Sequence, residues 1–397
     1  MRRIQLTAIA ARFAALFCVV ASAGAVPYEP KDGKQIVEHL PSRNDPAQRE
    51  FQRLRKLLAT TPDNIDVASE LAQKYINEGR NDGDPRYLGY AQAVLAPWWA
   101  QAEPPVKVRV LRATLLQSTH QFPAALKDLN AVLKQDRGNA QAWLTRATVL
   151  QVQGQYALAK NSCMHLYALA PELVTVTCLS NVANLNRDAA QSYALLMDAY
   201  QREPAADPGI QIWVMTLLAE MSARRGDVVA AEQWYRQAMA LAPPDSYLLG
   251  SYSDFLLDRK RATEVVLLLK DKTRVDALLL RYALALQATG SAAAKEQRIA
   301  LGQRFDAAMM RGDTVHQREQ ARYELQLNDN AAAALKLAQL NWEVQKEAAD
   351  VRIYLEAAVA ANNRQAAAPV IAWIKQNGLQ DAALTPLIAR LTANGNA

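Results

Sequence analysis

Glycine is scarce, with 15 residues in 397, and 17 prolines accompany it. A sandwich or barrel needs a turn every 8–12 residues or so, and this chain has too little glycine to supply them. Strands also favour β-branched and aromatic side chains, whereas the hydrophobic 51% of this sequence is mostly alanine and leucine, which favour helix. All-β is excluded and α/β disfavoured, so the expected class is all-α. With 51% hydrophobic and 21% charged residues, bulk disorder is excluded as well.

Histidine and cysteine are nearly absent. The four histidines, His39, His120, His165 and His316, stand apart from one another, and His165 follows Cys163 by two positions, which puts them on different helix faces. No zinc spacing exists, and no GxGxxG, GxxxxGK[ST], GxSxG or HExxH occurs. A non-catalytic protein with no cofactor and no metal is expected.

A long apolar run is missing too. The longest, Phe13 to Val26, covers 14 residues, and a membrane-spanning helix needs about 20. With Arg2 and Arg3 before it and Ala23 and Ala25 after it, this stretch reads as a Sec-type signal peptide over residues 1–25, cleaved after Ala25 or Ala23. Phe17 before Cys18 argues against lipidation, and the surroundings of the arginine pair fit twin-arginine export poorly. A periplasmic or secreted protein follows, with no transmembrane helix after cleavage. Cleavage also removes Arg2, Arg3 and Arg12, so 45 basic residues become 42 against 39 acidic ones and the net charge of +6 halves. Nucleic-acid binding thereby loses its compositional support.

Cys163 and Cys178 then remain. Disulfides persist in an exported protein, yet a helical chain of this size needs no staple. The plainer expectation is two small buried side chains, and an intact mass with and without reductant separates the two.

What the chain has is a repeat. Counting from Ala140 as one, Trp143 stands at four, Ala147 at eight, Leu150 at eleven, Gly154 at fifteen, Tyr156 at seventeen, Ala159 at twenty and Pro171 at thirty-two. From Val106 the same count gives Ala113, Leu116, Phe122, Ala125 and Leu129; from Val174 a degenerate copy carries Asn181 at eight and Tyr193 at twenty. After a four-residue insertion, Ile212 opens a unit with Ala219, Gly226, Ala231, Tyr235, Ala238 and Pro243, and Ser246 opens the next. Two antiparallel helices approach closely where facing side chains are small, hence alanine at eight and twenty, with large residues filling the grooves around them. Glycine at fifteen permits the left-handed turn that ends the first helix.

This pattern resembles the tetratricopeptide repeat, a helix-turn-helix unit of 34 residues. The resemblance implies a right-handed superhelical solenoid of antiparallel helix pairs in which stacked units touch only their neighbours. Eight or nine units fit residues 45–393, with a lone helix over 46–64 before them and a capping helix near 381–391. The chain divides into the signal (1–25), an extended arm (26–44), the main array (45–274) and a C-terminal, more degenerate subarray (275–397) beyond a phase slip near Thr273–Asp276.

Two places carry candidate binding residues. Residues 79–99 form a turn about eight residues longer than usual between paired helices, with Arg80, Asp82, Asp84, Arg86, Tyr87, Tyr90, Trp98 and Trp99. As a binding loop it offers aromatic rings to a glycan or peptide; as structure, Asp84-Pro85 caps a helix and the tryptophans cover the array's edge. The concave groove is the second place. Carrying over the first-helix positions that line it in such arrays gives Lys107, Val110, Thr114, Gln117, Gln141, Thr148, Gln151, Trp213, Glu220, Arg224, Tyr247 and Asp254. The lysine–asparagine set that clamps a C-terminal carboxylate in chaperone-binding repeats is absent, since Val110/Thr114 and Leu144/Thr148 occupy those positions. The mixed lining suits an extended peptide or partner helix. The basic runs Arg49 to Lys56 and Arg259-Lys260-Arg261 read as solvated surface. The expected partner is a protein or peptide, with a glycan as the alternative, and no feature sets an oligomeric state.

Overall fold

The computed structural model describes residues 32–34, 45–186, 188–241 and 244–393, all helix, turn or irregular chain with no strand among them. The expected signal over 1–25 and the expected arm over 26–44 lie outside the described residues, apart from Asp32–Lys34, a turn in which the Lys34 N–H donates to Asp32 Oδ1 at 2.9 Å. Every helix among the described residues belongs to the unit Ser42–Ala397, the other unit being Met1–Pro41.

Helix α1 (Pro46–Thr60) stands alone, started by Asp45, whose carboxylate accepts from Gln48 N. Nine antiparallel pairs follow. The first is α2 (Ile65–Asp82) with α3 (Arg86–Val94), extended by the single turn α4 (Ala96–Trp99). Next come α5 (Val106–Ser118) with α6 (Phe122–Gln135), α7 (Ala140–Val152) with α8 (Tyr156–Met164), and α9 (Glu172–Ala183) with α10 (Ala189–Arg202). The fifth to seventh pairs are α11 (Pro208–Arg224) with α12 (Val228–Leu241), α13 (Ser246–Asp258) with α14 (Ala262–Leu269), and α15 (Asp276–Ala288) with α16 (Ala294–Met310). The last two are α17 (Gln317–Gln326) with α18 (Ala331–Val344) and α19 (Ala348–Ala360) with α20 (Arg364–Asn377), closed by α21 (Thr385–Thr392). Each first helix also packs on the first helix of the next pair, so these helices form one continuous inner layer. The fold is an all-α helical repeat.

Small residues sit where helices must meet: Ala113, Ala125, Ala147, Ala159, Ala219 and Ala231 are all at most 1% exposed. The insertion before Ile212 is absorbed as an extra N-terminal turn of α11. In the degenerate unit the frame shifts by one. Ser180 and Ser192, rather than Asn181 and Tyr193, are buried at the close approach, where Ser180 Oγ donates to the Ser192 carbonyl at 3.1 Å.

Position fifteen turns left-handed in seven pairs. Glycine serves at Gly154, Gly226 and Gly290 (φ 75°, 81° and 68°), while His120, Lys260, Asp329 and Asn362 take the same corner at φ 56°, 58°, 52° and 49°. The corner is thus imposed by the packing of the pair even where no glycine eases it.

The expectation that units touch only their neighbours is corrected. The superhelix is wound so tightly that pairs five or so apart meet. Gly83, after α2, faces Val275 and Ser246, and Ser246 Oγ donates to the Arg80 carbonyl at 3.1 Å. Lys346 N–H donates to the Val152 carbonyl at 2.7 Å, Ala382 N–H to that of Arg224 at 2.8 Å, and the Tyr156 and Trp373 rings lie 6.1 Å apart. One hydrophobic core accordingly includes Ala147 and Cys163 together with Trp342, Val351 and Ile371.

Cys163 and Cys178 are bonded, with Cα atoms 5.6 Å apart, which corrects the expectation of two separate thiols. The short 3₁₀ turn His165–Ala168 brings the end of α8 against α9, and that separation suits a disulfide.

Candidate functional site

The expected groove residues divide by what the next superhelical turn covers. Val110, Thr114 and Gln151 are buried (8%, 4% and 7% exposed), contrary to a groove-lining role. Thr114 spends its hydroxyl on the Val110 carbonyl at 3.0 Å, Val344 packs onto the core that holds Val110, and Gln151 stands beside Val152, to which Lys346 bonds. Lys107, Gln141 and Thr148 stay exposed, and Gln117 and Trp213 are half-buried. Lys107 pairs with Asp66, and Gln141 Nε2 donates to Thr145 Oγ1 at 3.0 Å.

Further along, Glu220, Arg224 and Asp254 converge on a cavity of about 630 Å³ walled by α11, α13, α15, α17, α19 and the residues before α21. Six arginines and six carboxylates are among the residues that line it. Asp254 accepts from Arg281 Nη2 and Arg322 Nη1, each at 2.5 Å. Arg352 bonds Asp258 through both Nη atoms at 2.7 Å and Glu356 through Nε at 2.7 Å. Arg318 reaches Glu319 at 3.3 Å, Glu347 at 2.9 Å and the buried Asp350 at 3.4 Å. Burial alone would raise the Asp254 carboxyl, but the Arg281 and Arg322 guanidiniums outweigh it and hold it at about 2. Asp350 goes the other way, pushed up to about 6 by burial in spite of Arg318.

At one edge of the cavity, Glu220 Oε1 accepts from Tyr247 OH at 2.8 Å and Ser251 Oγ at 2.9 Å, and Ser251 shares a 2.7 Å bond with Tyr235 OH. The adjacent Glu220 charge keeps the Tyr247 phenol protonated. Tyr247 is 64% exposed.

The segment 79–99 is built differently from the long turn expected. The extra residues extend α2 to Asp82, and Gly83 (φ 68°) ends that helix, so only Gly83–Pro85 separate α2 from α3. Asp84 is held by Arg86 at 2.8 Å and, across the superhelical turn, by Arg274 at 3.0 Å. Arg80 and Asp82 are exposed. Tyr87, read as a stacking ring, is core instead: it is 8% exposed, lies 5.8 Å from Phe51, and takes a 2.9 Å bond from Gln48. Trp98 and Trp99 are half-buried. Arg112, salt-bridged to Asp128 at 2.6 Å, bonds the Trp99 carbonyl and lies 5.8 Å from its ring. Of the four aromatic rings, Tyr90 alone is exposed, at 51%.

Sequence reading missed Arg281, Arg318, Arg322, Arg352 and Asp381 at the cavity, because the groove frame was not carried past Asp258. A signal existed: counting from Ala348, positions five and nine are Arg352 and Glu356. Arg259, read as solvated, instead lines the cavity with its guanidinium 3.9 Å from the Phe255 ring centre.

No protein-family model matches this chain, and no curated protein matches it. Among solved structures, the chain is similar to the APC/C hetero-tetramer Cut9–Hcn1 at 12% identity, over 87% of this chain and 67% of that one, with a TM-score of 0.49. It is similar to yeast Tom70 at 15% identity over 83% of this chain, spanning 59% of that one, with a TM-score of 0.34. With the P58(IPK) TPR domain it shares 14% identity over 87% of this chain and 97% of that one, with a TM-score of 0.21. The repeat is defined by the helix pairs and their buried alanines; likenesses at these scores add no correspondence of residues.

Proposed function

We propose that this chain is an exported, non-catalytic TPR-type scaffold that binds a protein or peptide partner on its concave face, as a subunit of an envelope assembly. The observation that carries the reading is Tyr247, an exposed ring whose hydroxyl is pinned by Glu220 at 2.8 Å at the edge of the cavity. A rigid aromatic beside a polar, partly open recess is the kind of anchor on which interfaces concentrate their affinity. The basic, apolar and small-residue succession of residues 1–25 supports export, and so does the Cys163–Cys178 bond, because disulfides persist in oxidising compartments.

The test is affinity capture from the periplasmic fraction after mild crosslinking, with wild-type chain beside Tyr247→Ala and Trp213→Ala. Loss of a co-purifying protein from the variants at unchanged helicity is expected. Retention of that protein by both variants refutes this placement. N-terminal sequencing of the exported chain is expected to begin after Ala25 or Ala23.

A further inference from the structure

The ion pairs of the cavity leave a remainder. Asp254, Asp258, Glu319 and Glu356 are each bonded by an arginine, and those bonds occupy Arg281, Arg318, Arg322 and Arg352. Two further arginines line the same space. Arg224 and Arg259 each bury an Nε–H that finds no acceptor among the described residues. Arg259 lies against the Phe255 ring and donates Nη1 to the Phe255 carbonyl at 3.3 Å. Two carboxylates remain as well. Glu220 receives hydroxyls on Oε1, and Asp381 receives the Ala383 N–H on Oδ1 at 2.9 Å. No arginine or lysine forms a salt bridge with either among the described residues. Arg224 acts on Asp381 only through space.

A buried donor without an acceptor is costly, and a ligand that supplies the acceptor recovers that cost. The unmatched charges are two of each sign, so a simple anion would bring its charge towards Asp381 and a simple cation towards Arg224. A ligand bearing both signs meets neither penalty. The volume of about 630 Å³ falls within the range of small-molecule sites.

We infer that the cavity receives a zwitterion, an amino acid or short peptide with free ends, its carboxylate taken by Arg224 and Arg259 and its ammonium by Glu220 and Asp381. The walls come from two superhelical turns, since Asp381 and Ala382 reach the site from beyond α20 and Ala382 N–H bonds the Arg224 carbonyl at 2.8 Å. Occupancy therefore also ties those turns together and raises the melting temperature. This inference goes beyond the partner reading, because the ligand is read on the purified chain alone.

Isothermal titration calorimetry with alanine, trialanine, N-acetyl-trialanine (free only at its carboxylate) and the doubly blocked N-acetyl-trialanine amide tests it. One free-ended probe per chain is expected, with the blocked peptide at least about tenfold weaker. Arg224→Gln and Arg259→Gln should each weaken binding about tenfold at unchanged circular dichroism. Asp381→Asn should weaken trialanine but leave N-acetyl-trialanine unaffected. Where a glutamine disturbs the fold, Arg259→Lys keeps the charge while removing the Nε donor. Tighter binding of alanine identifies a free amino acid as the ligand class, and tighter binding of trialanine a peptide. The inference is overturned if the blocked peptide binds as well as the free one. It is overturned equally if the arginine variants bind like wild type, or if neither free-ended probe binds at millimolar concentration.

Discussion

Trp373 joins parts of the chain that a linear array would keep apart. Its ring lies 5.2 Å from Trp342 in the preceding pair and 6.1 Å from Tyr156, which belongs to a pair one superhelical turn earlier. Truncating a fully buried tryptophan costs about 3–5 kcal/mol; Trp373 is half-buried, so Trp373→Ala should cost about 2 kcal/mol. Since each 1.4 kcal/mol is a factor of ten, amides that open through this contact should exchange roughly 30-fold faster. In an array coupled only between neighbours, the acceleration stays in α18–α21. In the closed superhelix, α7 and α8 lose their cover at Gly154 and Tyr156 and accelerate too. Hydrogen exchange read by mass spectrometry on peptides from 140–164 and 331–392 decides the matter. Wild-type exchange in 140–164 alongside faster exchange in 331–392 would refute the closure.

Three further predictions concern single groups. Cys178→Ser should lower stability by about 3 kcal/mol for a loop of 15 residues, read from denaturant midpoints; an intact mass unchanged by reductant would show that no bond exists. Asp254, held at about 2 when folded against 3.8 in its ordinary state, contributes stability that is full above about pH 4. That contribution, about 2 kcal/mol, is lost as pH falls towards 2. Asp254→Asn should therefore flatten the acid limb of stability relative to wild type, and an unaltered limb would contradict the pairing. Asp350 has the opposite sign, its contribution falling as pH rises from about 4 to 6. Lys260→Gly should raise the denaturant midpoint by an amount worth about 0.5–1 kcal/mol, because glycine relieves the left-handed backbone at φ 58°; a lower midpoint would show that the lysine side chain matters more than the corner.

The parts of the fold legible in the sequence were those decided by side-chain size within one pair. Ala147 and Ala159 marked a close approach because nothing larger fits there, and Gly154 marked the corner. Where another residue tolerates the same geometry, the signal faded. Ser180 and Ser192 replaced alanine one position away from the expected frame, and His120, Lys260, Asp329 and Asn362 took the left-handed corner without glycine. The cavity was half legible. Glu220, Arg224 and Asp254 fell on groove positions, whereas Arg281, Arg322 and Arg352 lay beyond Asp258, where the groove positions were not followed.

Closure was not legible, for a physical reason. It depends on the angle between successive pairs, a small quantity that accumulates over about five of them, and no single residue carries it. Its consequence for recognition is nevertheless concrete. Val344 and Lys346 of the later turn stand against α5 and α7, so a folded domain cannot reach Val110 or Gln151 without unwinding the superhelix. Beside the exposed Lys107, Gln141 and Thr148, the inner layer keeps open the stretch from Glu220 to Glu356 with Tyr247 at its edge. On the proposed reading, a partner that docks on this face without opening it must therefore present a narrow segment or a chain end, and selection among partners would fall to the few charged groups that the internal ion pairs leave uncommitted.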